Sequence, residues 1–420
     1  MTDSHAALYR TICAKPDEDT PRLAFADLLE EHGDALRARF IRTQIELSRG
    51  KHYDAPAVTA RLREPDAAHG WTMAHTLPKL PTGFTWRRFE FRRGFPWKVT
   101  LANWDALASG EEVFAAAPVQ ALDVDVPSTI GHDGGLWRIA DWSHLARLRR
   151  LDFAHGRFDA KDVHLLAEAP GAARITELAF AFDALEQSGL AALAGSDLFA
   201  RLSAFELRTS ALLPALMVDA LGAAREPGEL DRVCLQDNGI GRDDAAHLFA
   251  LPALRNVREL DLSDNPLTAH GVRALAESDV PRGLRALNLS RTRPGVPGVR
   301  ALLAARGLNG LRALDLSDNA LGPVAARALG DCGALGGLRC LNLSHDPLGD
   351  AGAEALAGAP ALAGLLELEL RDARLTDEGA EALAASPHLG ALLRLDARDN
   401  DLTGKGRAAL AERFGDRVRA

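Results

Sequence analysis

The sequence predicts an α/β solenoid, a horseshoe in which short parallel strands line the concave side and helices line the convex side. Three observations carry this prediction. A pair of apolar residues separated by one residue recurs along the chain, and this period-two alternation is typical of a β-strand. The recurrence has an almost constant spacing. Each copy is followed by apolar residues at helical spacing, such as Val272, Leu275 and Ala276.

The recurring pattern is clearest in VRELDLSDNPL from Val257 and LRALDLSDNAL from Leu311, and weaker copies extend upstream to Val119. Counted from the residue that opens each apolar pair, the spacings are 29, 27, 27 and 28 residues, followed by six of 27. A period of this length predicts about 11 stacked strand–helix units that bury a continuous leucine column. The opening residues are Leu122, Leu151, Leu178, Phe205, Val233, Leu260, Leu287, Leu314, Leu341, Leu368 and Leu395.

An asparagine recurs at the turn that follows the strand. An inward amide can satisfy the backbone groups that a turn leaves open, so we interpret these residues as structural. Copies before Leu230 lack the asparagine, and irregular turns are expected there. The position is occupied by Asn238, Asn265, Asn319 and Asn400, and elsewhere by Thr292, Asp346 and Ala373.

The pattern LxxLxLxxNxL with a helical second half resembles the leucine-rich repeat. The helix and the spacing are similar to the ribonuclease-inhibitor-like class, whose usual repeat is slightly longer. The resemblance covers roughly residues 119–415.

The sequence of residues 4–48 predicts three helices. The second has Pro21 at its first position, where a missing N–H costs nothing. The expected features are a helix at residues 4–14, a second capped by Thr20 and ending near Gly33, and a third at residues 34–48 anchored by Phe40, Ile41 and Ile45.

The segment DEDTPRLAFADLLEEHGDALRARFIRTQIEL resembles a short bacterial repeat-companion domain that often precedes leucine-rich repeats, with the pattern DtPRLxxADWLEExGD…RAxFIxxQ. The chain departs from it at Leu28, where Trp is usual. The family has no established activity, so the resemblance implies architecture rather than chemistry. The matching residues are Asp19, Pro21, Arg22, Ala26, Asp27, Leu29, Glu30, Gly33, Asp34, Arg37, Phe40, Ile41 and Gln44.

The segment TWRRFEFRRGFPWKVTL interleaves basic and aromatic residues. One interpretation is a stacking platform for single-stranded nucleic acid across residues 86–98. The other, which we favour, is a set of strands that cap the open end of the leucine column. The companion family carries similar RGF segments at this place. The residues concerned are Arg87, Arg88, Arg92, Arg93 and Lys98 with Trp86, Phe89, Phe91, Phe95 and Trp97.

The sequence carries none of the common catalytic motifs. The chain has no phosphate loop, zinc-protease helix, nucleophile elbow or dinucleotide fingerprint, and its 13 histidines lack metal spacing. We therefore predict no catalytic residue, no cofactor and no metal. The alternative is an enzyme or effector activity in the first 100 residues. Its candidates, which we interpret instead as ion-pair and capping partners with Arg37 and Arg39, are Asp27, Glu30, Glu31, His32 and Asp34.

The residue between the two leucines of each pair faces away from the column. At this position seven of eleven residues are acidic and none is basic. Adjacent strands lie about 4.8 Å apart, so alternation of Asp with Asn relieves repulsion between neighbours. Asp or Asn is also simply frequent at this position in such repeats. We predict that a partner binds on the concave face at Asp261, Asn288, Asp315, Asn342, Glu369 and Asp396.

The charge distribution favours a protein partner. The formal net charge is −9, with +3 in residues 1–100 and therefore −12 in the rest. An acidic repeat body disfavours DNA and RNA and suits a partner with a basic or mixed surface. The expected function is a non-catalytic protein–protein interaction scaffold.

The chain has no run of about 18 apolar residues and begins without a secretory signal pattern, so we expect no membrane association. Its four cysteines form no CxxC pair, which favours reduced thiols in a cytoplasmic protein. The expected domains are a helical module at residues 1–50, a connecting and capping segment at 51–118, and the solenoid at 119–420 with a C-terminal helical cap.

Overall fold

The computed structural model describes residues 3–50, 77–87, 90–126, 135–182, 184–210, 212–224 and 230–420. The chain divides into two compact units, Met1–Glu206 and Leu207–Ala420. The division falls inside one strand of the predicted repeat array. Part of the connecting segment, together with Arg88 and Phe89, lies outside the described residues.

The first unit begins with the three predicted helices, α1 (Asp3–Ala14), α2 (Thr20–Glu31) and α3 (Ala35–Arg49). Thr20 is the first residue of α2 and not its cap, because Asp19 occupies the cap position. The Asp34 carboxylate caps α3 by accepting a hydrogen bond from the backbone N–H of Arg37. The anchors predicted for this module are buried, and its core also includes one residue of the connecting segment. These buried residues are Phe40, Ile41 and Ile45, with Phe95.

The connecting segment forms short strands, as the capping interpretation expects. β1 (Phe84–Thr85) pairs antiparallel with β4 (Lys98–Leu101), and β2 (Phe91–Arg92) forms a hairpin with β3 (Phe95–Pro96). β4 also pairs in parallel with the first repeat strand, where Val99 is aligned with Leu122. The parallel array therefore begins one strand before the first copy that the sequence pattern identifies.

The parallel strands of the first unit follow one another in chain order. The opening apolar residues lie side by side in neighbouring strands and are buried. Larger side chains fill this part of the core, where the rings of Phe153 and Phe180 stack at 5.3 Å. The strands are β5 (Ala121–Val124), β6 (Arg150–Phe153), β7 (Glu177–Ala181) and β8 (Ala204–Arg208); the α-helices are Gly110–Ala116, Leu136–Ala140, Ala160–Glu168, Gln187–Ala194 and Asp197–Ala200; the 3₁₀ helices are Trp104–Ser109, Leu145–Arg147 and Pro170–Arg174.

In the second unit the strands shorten to three residues and the register becomes regular. The opening leucines align from strand to strand, as in Leu260 with Leu287 and Leu314. The strands are β9 (Arg232–Cys234), β10 (Glu259–Asp261), β11 (Ala286–Asn288), β12 (Ala313–Asp315), β13 (Cys340–Asn342), β14 (Glu367–Glu369) and β15 (Arg394–Asp396), followed by β16 (Val418–Arg419).

Helices alternate with these strands. The predicted C-terminal helix is present, but the chain continues beyond it into β16, which extends the sheet by pairing with β15. None of the helices within the described residues is long and apolar enough to cross a bilayer. The α-helices are Pro214–Leu221, Arg242–Phe249, Thr268–Glu277, Gly295–Leu303, Pro323–Gly330, Gly349–Ala357, Asp377–Ala384 and Gly404–Phe414; the 3₁₀ helices are Pro252–Leu254, Val280–Arg282, Leu308–Gly310, Gly333–Gly337, Pro360–Leu362, Leu389–Ala391 and Gly415–Arg417.

The recurring asparagines tie successive turns together. Asn265 is fully buried; its Oδ1 accepts hydrogen bonds from the backbone N–H groups of Asn238 and Ile240, both at 3.0 Å. Its Nδ2 donates to the carbonyl oxygens of Leu235 at 2.7 Å and Leu262 at 2.9 Å. One amide thus satisfies two N–H donors of the preceding repeat and carbonyl acceptors of both repeats, so the structural interpretation of these residues agrees with the geometry.

Asp346 occupies the asparagine position in one repeat. When ionised, its carboxylate can accept hydrogen bonds but cannot donate them as the amide does. Its Oδ1 accepts from the backbone N–H groups of Asn319 and Leu321, both at 2.9 Å, but its buried Oδ2 has no hydrogen-bond partner among the described residues. Burial raises the pKa of Asp346 to about 7. The folded state therefore favours the protonated acid, whose O–H can donate as an amide does.

Asp346→Asn is expected to stabilise the protein above pH 7 and to change it little near pH 4. Because the folded pKa of Asp346 lies above its unfolded value, its contribution is most favourable at low pH and is lost as the pH rises to about 7. The difference between the two proteins should approach the order of 4 kcal/mol at pH 8. Thermal or urea unfolding between pH 4 and pH 8 measures it. Asp331→Asn, at an exposed turn, is the control and should leave the pH profile unchanged.

The strand register predicts a second contrast in stability. Leu314 is buried in the leucine column, so Leu314→Asp should place an unpaired charge there and lower the free energy of unfolding by about 4 kcal/mol or more. Glu381 lies on an exposed helix face beside Lys405, so Glu381→Ala should leave the melting temperature nearly unchanged. Equal melting temperatures for the two variants would contradict the register.

Candidate functional site

The strands of the second unit align the predicted partner-binding residues in one row. In each strand the residue between two buried leucines, such as Asp261 between Leu260 and Leu262, points to the sheet face opposite the leucine column. The pairing register joins each of these residues to the next. We call this row the acidic strip: Asp261, Asn288, Asp315, Asn342, Glu369 and Asp396.

Asp and Asn perform the same structural task in this strip. Asp261 Oδ1 accepts hydrogen bonds from the N–H of Ser263 at 2.9 Å and from its hydroxyl at 2.6 Å, and Asp315 does the same with Ser317. Asn288 Oδ1 accepts from the backbone N–H of the serine that follows it by two residues, at 2.9 Å. The aspartates therefore differ from their asparagine neighbours mainly in charge.

The neighbouring residues Asp315 and Asn342 relieve repulsion as the sequence predicts. Asn342 Nδ2 donates to Asp315 Oδ2 at 2.9 Å. Beside them Glu369 keeps 35% of its side chain exposed, and burial raises its pKa despite the attraction of Arg394. These three residues form the half-buried, polar part of the strip.

Asp396 is the least accessible of the residues predicted to bind a partner. Asp396 is only 3% exposed, because Arg398 lies two residues further along the same face and holds both carboxylate oxygens at 2.9 and 2.5 Å. Burial alone would raise the pKa of Asp396, but the hydrogen bonds from Arg398 lower it below its usual value. The accessible strip therefore ends at Glu369.

A second row at the turns was missed by the sequence analysis. Its residues follow each strand with positive φ angles between 49° and 61°, the left-handed region that Asp tolerates better than most residues. Arg291 bridges Asp264 at 3.3 Å and Asp318 at 2.6 Å, and His345 contacts the Asp372 carboxylate at 3.2 Å. The spacing of 27 residues was the available signal. We call this row the turn row: Asp264, Arg291, Asp318, His345, Asp372 and Asp399.

The two rows and the strand positions between them carry an excess of negative charge. From Asp261 to Asp399 these three outward positions of each repeat hold eight carboxylates and three guanidinium groups, which gives a net charge of −5 with His345 neutral. Arg371 pairs with Asp399 of the turn row rather than with the strip. An acidic surface on a rigid sheet attracts positively charged groups over a distance set by salt screening.

The equivalent acids of the first unit are buried and paired. Arg150 contacts Asp152 at 2.6 Å, Glu177 at 3.2 Å and Glu206 at 3.0 Å, and Lys98 lies 3.5 Å from Asp152. This part of the outward row is therefore a closed ion-pair network rather than a surface for a partner.

The N-terminal candidates also have structural partners. Arg42 Nη2 contacts both Asp27 Oδ1 and Glu30 Oε2 at 2.7 Å, so the partner of these acids is Arg42 instead of the predicted Arg37 or Arg39. His32 Nδ1 lies 2.8 Å from a backbone carbonyl oxygen one helical turn earlier. This arrangement links α2 to α3 without forming a base–nucleophile pair.

Two aromatic rings of the basic segment, those of Phe95 and Trp97, are turned inward. Trp97 is 3% exposed and Phe95 is buried, and the Arg92 guanidinium lies over the Trp97 ring at 3.4 Å. These two rings offer no face for stacking with nucleic acid bases, which removes part of the support for that alternative.

No group of three or more His, Cys, Asp or Glu side chains in the described part of the chain could hold a metal ion. Cys13, Cys234, Cys332 and Cys340 are free thiols.

Comparisons with known proteins agree with this geometry. The family model described as Leucine Rich repeat matches residues 253–276, 309–330, 338–357 and 365–384. No curated protein matches the chain. A solved structure, described as the crystal structure of the Rad7 and Elc1 complex in yeast, is similar with a TM-score of 0.50 and 15% identity, over 91% of this chain and 94% of that chain. A likeness at this identity shows the fold alone. Together with the strand register, these findings show a leucine-rich-repeat fold, with the repeats that the family model matches lying in the second unit.

Proposed function

We propose that this protein is a non-catalytic scaffold that binds a basic or mixed surface of a protein partner on the acidic strip and the turn row. The observation that carries the proposal is the regular alignment of half-buried carboxylates on alternate strands, at Asp261, Asp315 and Glu369. The solved neighbour is described as a protein complex, which is consistent with a role in interaction.

The acidic strip suits binding because it is preorganised. Asp261 and Asp315 are each held by two hydrogen bonds from a serine, so a partner would order little additional side-chain freedom. The five strands from Asp261 to Glu369 span roughly 20 Å at the usual strand spacing, enough to engage a helix or an extended segment.

The net charge of this surface favours a basic protein over nucleic acid. Carboxylates repel phosphate and attract Lys and Arg, and complementary charge mainly raises the association rate and discriminates between partners. Two cations of this surface, Arg291 and Arg371, are already paired with carboxylates of the turn row.

The proposal extends to the class of the repeats, the nature of the N-terminal helices and the location of the protein. An α-helix after each regular strand supports the ribonuclease-inhibitor-like class, and the three N-terminal helices support a bacterial repeat-companion domain. Four free thiols are consistent with a cytoplasmic location.

The test is to remove the charge of the strip while keeping the backbone hydrogen bonds that Asp261 and Asp315 accept. Asp261→Asn/Asp315→Asn/Glu369→Gln should fold normally, because Asn288 and Asn342 already occupy equivalent positions and accept the same backbone bonds. Affinity capture from a lysate of the source cells, with quantitative mass spectrometry, should show a partner that binds the wild type and is depleted at least about tenfold on the variant. Binding to wild type should weaken as salt increases.

The matched control is Asp243→Asn/Asp279→Asn/Glu381→Gln, which removes three charges from two exposed positions and one half-exposed position in or beside helices. It should capture the partner like wild type. A partner retained by the strip variant, or lost equally from both variants, would move the binding surface elsewhere. Absence of any partner would count against the scaffold.

A further inference from the structure

The first unit contains a groove of about 640 Å³ between the helical module and the first parallel strands. It is lined by the loop before α2, by α2 and α3, by β2 and the turn after it, and by the residues that directly precede β4, β5 and β6. Its charged lining residues are Asp17, Arg22, Arg92, Arg93 and Arg149.

The groove is strongly positive in a chain whose net charge is −9. Four arginines and one aspartate line it, which gives a net charge of +3. The ion-pair partners that surround these residues are Arg49, Arg174, Asp19 and Glu177, and they add two charges of each sign. The positive excess is therefore not removed by the neighbouring side chains.

Arg22 is the least compensated of these cations. It is 2% exposed, and its Nε has no hydrogen-bond partner among the described residues. Its Nη1 donates to the carbonyl oxygen of Glu18 at 2.7 Å, and the guanidinium lies 5.5 Å from the centre of the Phe95 ring. Burial, reinforced by the positive charge of Arg93, lowers the pKa of Arg22 to about 10, and the nearby carboxylates of Asp19 and Asp17 offset this only in part. A buried charge of this kind is costly unless an anion approaches it.

The other arginines are held in position before any ligand arrives. Arg93 Nη1 donates to the carbonyl oxygen of Asp17 at 2.6 Å, and Arg92 is stacked on Trp97. The Asp17 carboxylate is gripped by Arg149 at 3.0 Å and by Arg174 at 2.7 Å. These ion pairs place guanidinium groups at the edge of the groove in a geometry that binds the oxygens of an anion.

We propose that this groove binds a small phosphorylated molecule, with Arg22, Arg93 and Arg149 directed at its phosphate groups. A single carboxylate would offset only one of three excess charges, whereas a diphosphate carries enough charge to offset them all. Arginine forks match phosphate oxygens, and the volume lies in the range of sites for ligands of nucleotide size. The buried Trp97 and Phe95 rings favour a small ligand over a single strand of nucleic acid, which needs exposed aromatic faces.

Isothermal titration calorimetry of the full chain with sodium pyrophosphate tests the proposal. Saturable binding of one pyrophosphate per chain is expected, and Arg93→Gln/Arg149→Gln should weaken it at least about tenfold because two charged hydrogen-bond donors are removed. If that variant loses its native circular dichroism spectrum, Arg149→Gln alone, at a more exposed position, should show a smaller loss.

The matched control is Arg157→Gln/Arg282→Gln, which removes two positive charges from exposed positions outside the groove. It should bind pyrophosphate like wild type. No saturable heat, or equal weakening in both double variants, would overturn the proposal. Displacement of pyrophosphate by oligonucleotides with affinity that rises with strand length, or by a polyglutamate peptide that binds more tightly, would assign the groove to a macromolecule and overturn it as well.

Discussion

The regular strand register of the second unit depends on the hydrogen bonds that pair the backbone N–H and C=O groups of the turn after each three-residue strand. Asn265 does this by accepting from two N–H groups of one repeat while donating to carbonyl oxygens of both that repeat and its own. A buried backbone group without a partner is costly, so a shift by one residue would disrupt two repeats at once. The side-chain ladder therefore fixes the spacing and, through it, the alignment of every outward residue.

The two units differ at this turn. In the first unit, whose turns lack the asparagine, the strands are four or five residues long, phenylalanines fill the core, and the outward acids pair with Arg150. In the second unit, where asparagine or an occasional Thr, Asp or Ala occupies the position, the strands are three residues long and the outward acids are spaced by asparagines and held by serines. The same repeat thus supports one closed, neutralised surface and one open, acidic surface.

The spacing of the apolar pairs was sufficient to predict the strands, since every opening residue from Leu122 to Leu395 lies in one. The spacing could not predict whether neighbouring side chains bury an outward residue. Asp396 was assigned to the exposed strip, yet Arg394 and Arg398 share its face and bury it. The repeat pattern also could not predict the groove. Asp17 contacts Arg149 and Arg174, which lie more than 130 residues further along the chain, and no periodicity links these positions. Short-range pattern determines the scaffold, whereas long-range charge pairing determines which parts of its surface are available.

In the acidic strip, one atom of each Asp or Asn side chain serves the fold and a different atom sets the charge that a partner would contact. At Asp261 and Asn288 an oxygen in the same place accepts the same backbone hydrogen bond, and that bond is what the strand end requires. The remaining atom, a carboxylate oxygen or an amide nitrogen, is not needed for this purpose and sets the charge shown to a partner. Exchange of Asp for Asn along the strip therefore alters electrostatic complementarity while the register is unchanged. A repeat array built in this way can change its partner without a new fold, because specificity resides in charge at positions whose structural role either residue fulfils.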